Sequence, residues 1–182
     1  MMKKKPVIHS RLEVARSRLF RIESLEITFP NGIEVQYERL ISSGNGAVLI
    51  IPMQDDSTVL LVREYAAGTE QYELALPKGR IEADENPVDA ANRELSEEIG
   101  LAARRLTLLT AFTLAPGYMS HATHVVLAED LYPQEAEGDE PEPLEVVPWK
   151  LDQLYGLTQR EDCSEARSIA ALYLARDYLE QR

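Results

Sequence analysis

The chain has little of what marks secreted, membrane or nucleic-acid-binding proteins. It contains one cysteine, Cys163, so no internal disulfide is available, which suits a reducing cytoplasmic setting. That cysteine lies in a polar stretch with no apolar strand before it, a poor setting for a nucleophile. Long apolar runs are missing. The longest, Ala47 to Met53, is broken by Pro52 and falls far short of the roughly 20 residues that span a bilayer. The basic start, Met1 to Lys5, is not followed by an apolar stretch and does not read as a secretory signal. Positive charge is scarce: 19 Lys plus Arg stand against 31 Asp plus Glu, for a net charge of −12. This argues against a general grip on nucleic acid and against binding an anionic membrane surface. An acidic chain is also a poor surface for phosphate ligands, unless metal ions sit between.

What is present is an ordinary globular composition. The 182 residues are 45% apolar and 27% charged, enough for one domain and a small appendage. No internal repeat or low-complexity linker interrupts it. The first third reads as β-structure, with a hairpin of Phe20 to Phe29 and Ile33 to Tyr37 around Pro30-Asn-Gly32. Further strands are expected at Ala47–Pro52, Thr58–Val62, Tyr72–Leu76, Leu106–Leu114, His124–Ala128 and Leu144–Val147. A first helix begins at the cap Asn86 and Pro87, carries Val88, Ala91, Leu95 and Ile99 on one stripe, and stops at Gly100. A second spans Glu165 to Gln181. The expected division is a β-rich lobe over residues 1–44 and a main domain over 45–182.

Glu94, Glu97 and Glu98 fall at i, i+3 and i+4, so they share one face of the first helix, opposite the apolar stripe. Alone, such a face is more often a solvated acidic surface. A divalent cation would relieve its repulsion, and all-oxygen ligands select hard ions such as Mg²⁺ or Mn²⁺. The flanking spacing is more specific. Gly79, five residues, Glu85, seven residues, then Arg93-Glu-Leu-Ser-Glu-Glu-Ile-Gly-Leu101 resembles the signature of the Nudix hydrolases at every specified position.

That resemblance implies an α/β class fold, an α/β/α sandwich with a mixed sheet and an N-terminal β-hairpin lobe. It implies hydrolysis of a nucleoside diphosphate linked to another group. Glu94, Glu97 and Glu98 match the metal ligands, Glu98 also being catalytic, and the carbonyl of Lys78 is a further candidate ligand. Gly79, Glu85 and Arg93 match the supporting positions, the arginine bracing the carboxylates. Mg²⁺ is the implied cofactor, with Mn²⁺ as a substitute.

Outside the signature, Pro116 lies fifteen residues after Leu101, and Arg63-Glu-Tyr65 precedes the signature. Both resemble the ADP-ribose pyrophosphatase branch. From about residue 8 onward the chain is similar to a bacterial subgroup of that branch that acts on ADP compounds. The similarity is carried by Val14–Phe20, Arg63–Ala66, Gly68–Glu70, Asp130–Pro133, Glu137–Pro143 and Glu165–Arg167, among others. It implies ADP-ribose, NADH and short diadenosine polyphosphates as substrates, AMP as product, and a homodimer built partly by the N-terminal lobe. Arg63, Glu73, Pro116, Gly117 and Tyr118 are the substrate-side candidates; Arg63 would hold a phosphate or pair with Glu64 or Glu73. Alternatives are a non-catalytic nucleotide sensor, a metal-binding interaction protein, and a hydrolase of sugar nucleotides, oxidised nucleotides or capped RNA.

The stretch from Glu135 to Glu145 holds six acids and no base. Related enzymes carry their general base on an acidic loop here, with Glu140 the first candidate and Glu142 the second. The signature, residues 79–101, carries seven acids and two bases. These two segments hold nearly all of the net charge of −12.

Overall fold

Continuous apolar runs write the central layer. The computed structural model describes residues 3–42, 44–138 and 140–182; Met1, Met2, Ser43 and the loop acid Asp139 lie outside the described residues. In chain order the elements are β1 (Val7–Arg16), β2 (Arg21–Thr28), β3 (Glu34–Leu40), β4 (Ala47–Pro52), β5 (Thr58–Ala66), β6 (Gln71–Ala75) and β7 (Lys78–Arg80). Then follow α1 (Pro87–Ile99), β8 (Leu101–Thr113), β9 (Ala122–Pro133) and β10 (Glu145–Lys150). After a 3₁₀ turn at Leu151–Gln153 come α2 (Leu154–Leu157) and α3 (Ala166–Glu180).

By compactness the chain divides into two units, Met1–Gly46 with Thr113–Ala122 and Ala47–Phe112 with Thr123–Arg182. In the second, Val48 to Ile51 of β4 are wholly buried, as in a strand covered on both faces. β4 runs parallel to β9, with Leu49 opposite Val125 and Ile51 opposite Leu127, and antiparallel to β7. The mixed sheet has the order β7-β4-β9-β8. Successive side chains leave a strand on opposite faces, so this sheet feeds two cores. Val48, Ile50, Val126 and Ala128 meet Ala90, Ala91 and Leu95 of α1. Leu49, Ile51, Val125 and Leu127 meet Leu61 of β5, Leu74 of β6, Leu154 of α2 and Leu172 of α3. The antiparallel β10-β5-β6 sheet belongs to this second core. Helices therefore flank the strands on both faces, giving the expected α/β/α sandwich.

The ends of α1 follow the sequence reading. Asn86 Oδ1 accepts from the N–H of Val88 at 2.9 Å and of Asp89 at 3.1 Å, and Gly100 closes the helix in the left-handed region. The buried stripe is Ala90, Ala91, Leu95 and Ser96, while Val88 and Ile99 are only half-buried.

In the first unit the expected hairpin gains a third strand, and the antiparallel order is β1-β2-β3. β1 had no sequence signal because it buries almost nothing. Val7, Leu12 and Val14 stay exposed, and backbone pairing with β2 forms the strand. Other strands run past the sequence reading: β8 starts at Leu101 rather than Leu106, β5 runs to Ala66 rather than Val62, β9 to Pro133 rather than Ala128 and β10 to Lys150 rather than Val147.

Candidate active site

Helical spacing places Glu94, Glu97 and Glu98 beside one another, and the fold of the second unit sets them into a cavity of about 650 Å³. Its walls also carry Lys78, Gly79, Arg80, Glu82 and Arg93, together with Glu137, Gly138 and Glu140 of the acidic loop. Six carboxylates thus face three cationic side chains.

Arg93 organises this face. Its Nε donates to Glu85 Oε1 at 2.8 Å and its Nη2 to Glu85 Oε2 at 3.0 Å, a two-pronged grip. Nη1 donates to Glu94 Oε1 and to Glu97 Oε2, each at 2.8 Å, and Nη2 donates to the Arg80 carbonyl at 2.8 Å. All five guanidinium donors are used. The ion pairs hold the Glu85 carboxyl below the usual carboxylate range and keep Arg93 charged. Arg93 thus ties Glu85 to the helix carboxylates through one group.

Gly79 is fixed by contact. A Cβ built there would lie 1.8 Å from Glu94 Cδ and 2.1 Å from both carboxylate oxygens. Only a residue without a side chain leaves the Glu94 carboxylate in place. Pairing of β7 with β4, Val48 opposite Gly79, brings the backbone to that point.

Glu98 is partly buried and is held by the β7 backbone. Its Oε2 accepts from the Lys78 N–H at 3.2 Å. Burial pushes its carboxyl up to about 8, the Glu94 charge adds to the rise, and the Lys78 charge and N–H oppose it. The Lys78 ammonium is shared, because it pairs with Glu64, so its charge offsets only part of the cost of burial. Among the described residues no three His, Cys, Asp or Glu side chains stand as a finished metal cluster. Arg93 engages Glu94 and Glu97 instead. The donor set still fits a hard divalent ion: it offers oxygens only, it is net acidic, and a cation would offset the burial and the Glu94 charge that raise Glu98.

The loop acids separate. Glu140 lines the cavity, and so does Glu137, which sequence reasoning did not single out. Glu142 does not line it; the Tyr72 hydroxyl donates to Glu142 Oε1 at 2.7 Å.

The substrate-side candidates are dispersed. Arg63 pairs with Glu145 at 2.9 Å and with Asp162, not with Glu64 or Glu73 as expected. Pairing of β5 with β10, Arg63 opposite Glu145, decides this. Glu73 is 7% exposed and accepts from the Ser164 N–H at 3.0 Å, Ser164 Oγ at 2.8 Å and Gln71 at 2.7 Å, so it anchors the segment before α3. The structure does not bring it to the cavity. Pro116, Gly117 and Tyr118 lie in the first unit, lining a smaller hollow of about 200 Å³ with Leu25, Ile27 and Tyr37. Arg80 and the Lys78 ammonium were missed as cavity groups. Their signal was adjacency to Gly79, since a short strand that brings residue 79 to the helix brings its neighbours too.

Among the described residues no helix is long and apolar enough to cross a membrane. A model of the NUDIX domain matches residues 45–172, and one of the NudE-type Nudix hydrolase N-terminal domain matches residues 6–39. The chain is 47% identical to the ADP compounds hydrolase NudE of Escherichia coli K12, over 97% of this chain and 94% of that protein. It is 32% identical to an ADP-ribose pyrophosphatase of Bacillus subtilis, covering 81% and 80% of the two chains. A crystal structure of an ADP compounds hydrolase superposes with a TM-score of 0.91 at 45% identity, covering 100% of this chain and 97% of that one.

Proposed function

The chain belongs to the Nudix hydrolase family, and from that premise we propose that it hydrolyses the pyrophosphate bond of ADP compounds with Mg²⁺ as cofactor. ADP-ribose, NADH and short diadenosine polyphosphates are the substrates, and AMP is the shared product. The observation that carries this reading is the single cavity where the α1 carboxylates, the Lys78–Arg80 strand and Glu140 meet.

Glu94, Glu97 and Glu98 would hold the metal, with the Lys78 carbonyl as a further ligand. When bound, Mg²⁺ screens the pyrophosphate charge, polarises a phosphoryl oxygen and makes water more acidic. The rest belongs to the chain. Arg93 orients Glu94 and Glu97 from one fixed fork. Lys78 and Arg80 add positive charge at the wall where a diphosphate enters. Glu140 takes the proton from the attacking water, whose oxygen bonds to phosphorus as the bridging oxygen leaves with the other phosphate. The acidic composition thus stops being an obstacle to phosphate binding, because the acids address the cation and the cation addresses the phosphate. A homodimer completes the proposal, with the exposed apolar residues of β1, among them Val7, Leu12 and Val14, as part of its interface.

A substrate panel tests it. ADP-ribose, NADH, diadenosine triphosphate, GDP-mannose and capped RNA are incubated with Mg²⁺ and the products separated. The expected result is AMP from the first three at rates well above any product from the last two. Tight ADP-ribose binding without AMP would instead identify a nucleotide sensor.

A further inference from the structure

The acidic loop crosses the carboxylate cavity although its charge opposes it. Residues 135–145 carry six acids, and the helix beneath presents three more. Like charges this close repel, so the loop needs anchors. On the α1 side they are backbone contacts. The Gln134 N–H donates to the Gly100 carbonyl at 3.0 Å, and the Ala136 N–H donates to the Ser96 carbonyl at 3.2 Å. Gly138 packs so closely that a Cβ there would stand 3.0 Å from the Glu97 carbonyl oxygen.

On the other side the anchors are side chains of the β5–β6 pair. Arg63 Nε donates to Glu145 at 2.9 Å, and the Tyr72 hydroxyl donates to Glu142 at 2.7 Å. Tyr72 is half exposed and stands edge-on to Tyr65, ring centroids 5.5 Å apart. Its hydroxyl suits an acidic loop because it donates without adding charge. The Glu142 carboxylate holds the phenol above its ordinary value, so the proton stays on the donor. Glu140 lies between these two held points in the chain, Gly138 and Glu142, two residues from each, and lines the cavity.

We infer that Tyr72 is a positioning residue: through Glu142 it fastens the acidic loop to the β5–β6 pair and so sets Glu140 at the mouth of the carboxylate cavity. The catalytic consequence rests on the proposed function, whereas the fastening does not.

The test uses Tyr72→Phe and Glu142→Ala in the full chain, with thermal unfolding confirming that both variants fold. The first readout needs no activity: cleavage after Glu137 by a glutamate-specific protease. Both variants are expected to be cut at least fivefold faster than wild type, while Glu142→Gln, which keeps an acceptor for the hydroxyl, stays as resistant as wild type. The second readout is AMP release from ADP-ribose. Both variants are expected to lose at least fivefold in kcat with KM within twofold, and the double variant is expected to be no worse than either single one. Unchanged cleavage in Tyr72→Phe overturns the fastening, and faster cleavage with unchanged kcat overturns the positioning of Glu140. A wild-type chain that releases no AMP overturns the functional reading instead, and the protease result then decides the fastening alone.

Discussion

Gly79 and Glu94 compete for one space: a Cβ on residue 79 would stand 1.8 Å from the Glu94 carboxyl carbon. The glutamate must yield, because its carboxylate is the free end of a flexible side chain and the β7 backbone is held by pairing with β4. Gly79→Ala is therefore expected to move the carboxylate by an ångström or more and to lower kcat/KM by about 100-fold. The melting temperature should shift by only a few degrees. Steady-state kinetics and thermal unfolding check both; an alanine variant with wild-type activity would show that Glu94 is not needed where it stands.

Arg93 makes five donor contacts, and a lysine offers a point charge with three donors. Arg93→Lys is expected to release Glu85 and to weaken the hold on Glu94 and Glu97. Activity at saturating Mg²⁺ should fall about 10- to 100-fold, as for other groups that orient metal ligands. Kinetics at varied Mg²⁺ provide the check, with a raised metal requirement as the expected sign.

Glu98 predicts a pH effect on stability without metal. Its carboxyl has an ordinary value of 4.5 and stands at about 8 in the folded chain, because burial disfavours its charge. Above pH 4.5 the unfolded chain gives up a proton that the folded chain keeps, so stability falls as pH rises from 4.5 to about 8. The loss is on the order of a few kcal/mol. Urea unfolding with a chelator at pH 5.5 and pH 8 should show it, and Glu98→Gln should remove this slope. Glu73, Glu129 and Glu165 are lowered and act in the opposite window, costing stability only as pH falls below their unfolded value of 4.5.

Cys163 is 4% exposed, and burial raises its thiol to about 11, with Asp162 and Glu73 adding to the rise. Iodoacetamide at pH 8 is expected to leave the native chain unmodified over an hour and to label it fully in denaturant. Mass spectrometry reads the difference. Rapid labelling of the native chain would contradict the burial.

The second-unit core and the carboxylate helix were legible because their signals are local. Val48 to Ile51 announce a doubly covered strand, Asn86 and Gly100 bracket α1, and the spacing of Glu94, Glu97 and Glu98 fixes their common face. What the sequence hid was long-range pairing. β1 buries little, so no alternation of burial marks it. The choice of Arg63 for Glu145 and Asp162 over its neighbour Glu64 depends on the β5–β10 register. The contact between Tyr72 and Glu142 joins residues 70 positions apart. The separation of Glu140 from Glu142 was likewise out of reach, since two glutamates two residues apart look alike until the loop is anchored.

The most direct test of the central claim is AMP release from ADP-ribose in Mg²⁺, comparing the wild-type chain with Glu98→Gln. The account predicts one AMP and one ribose 5-phosphate per substrate with wild type, and a rate at least 100-fold lower with Glu98→Gln, folded to the same extent. Equal rates from the two proteins, or no AMP from wild type, would contradict it.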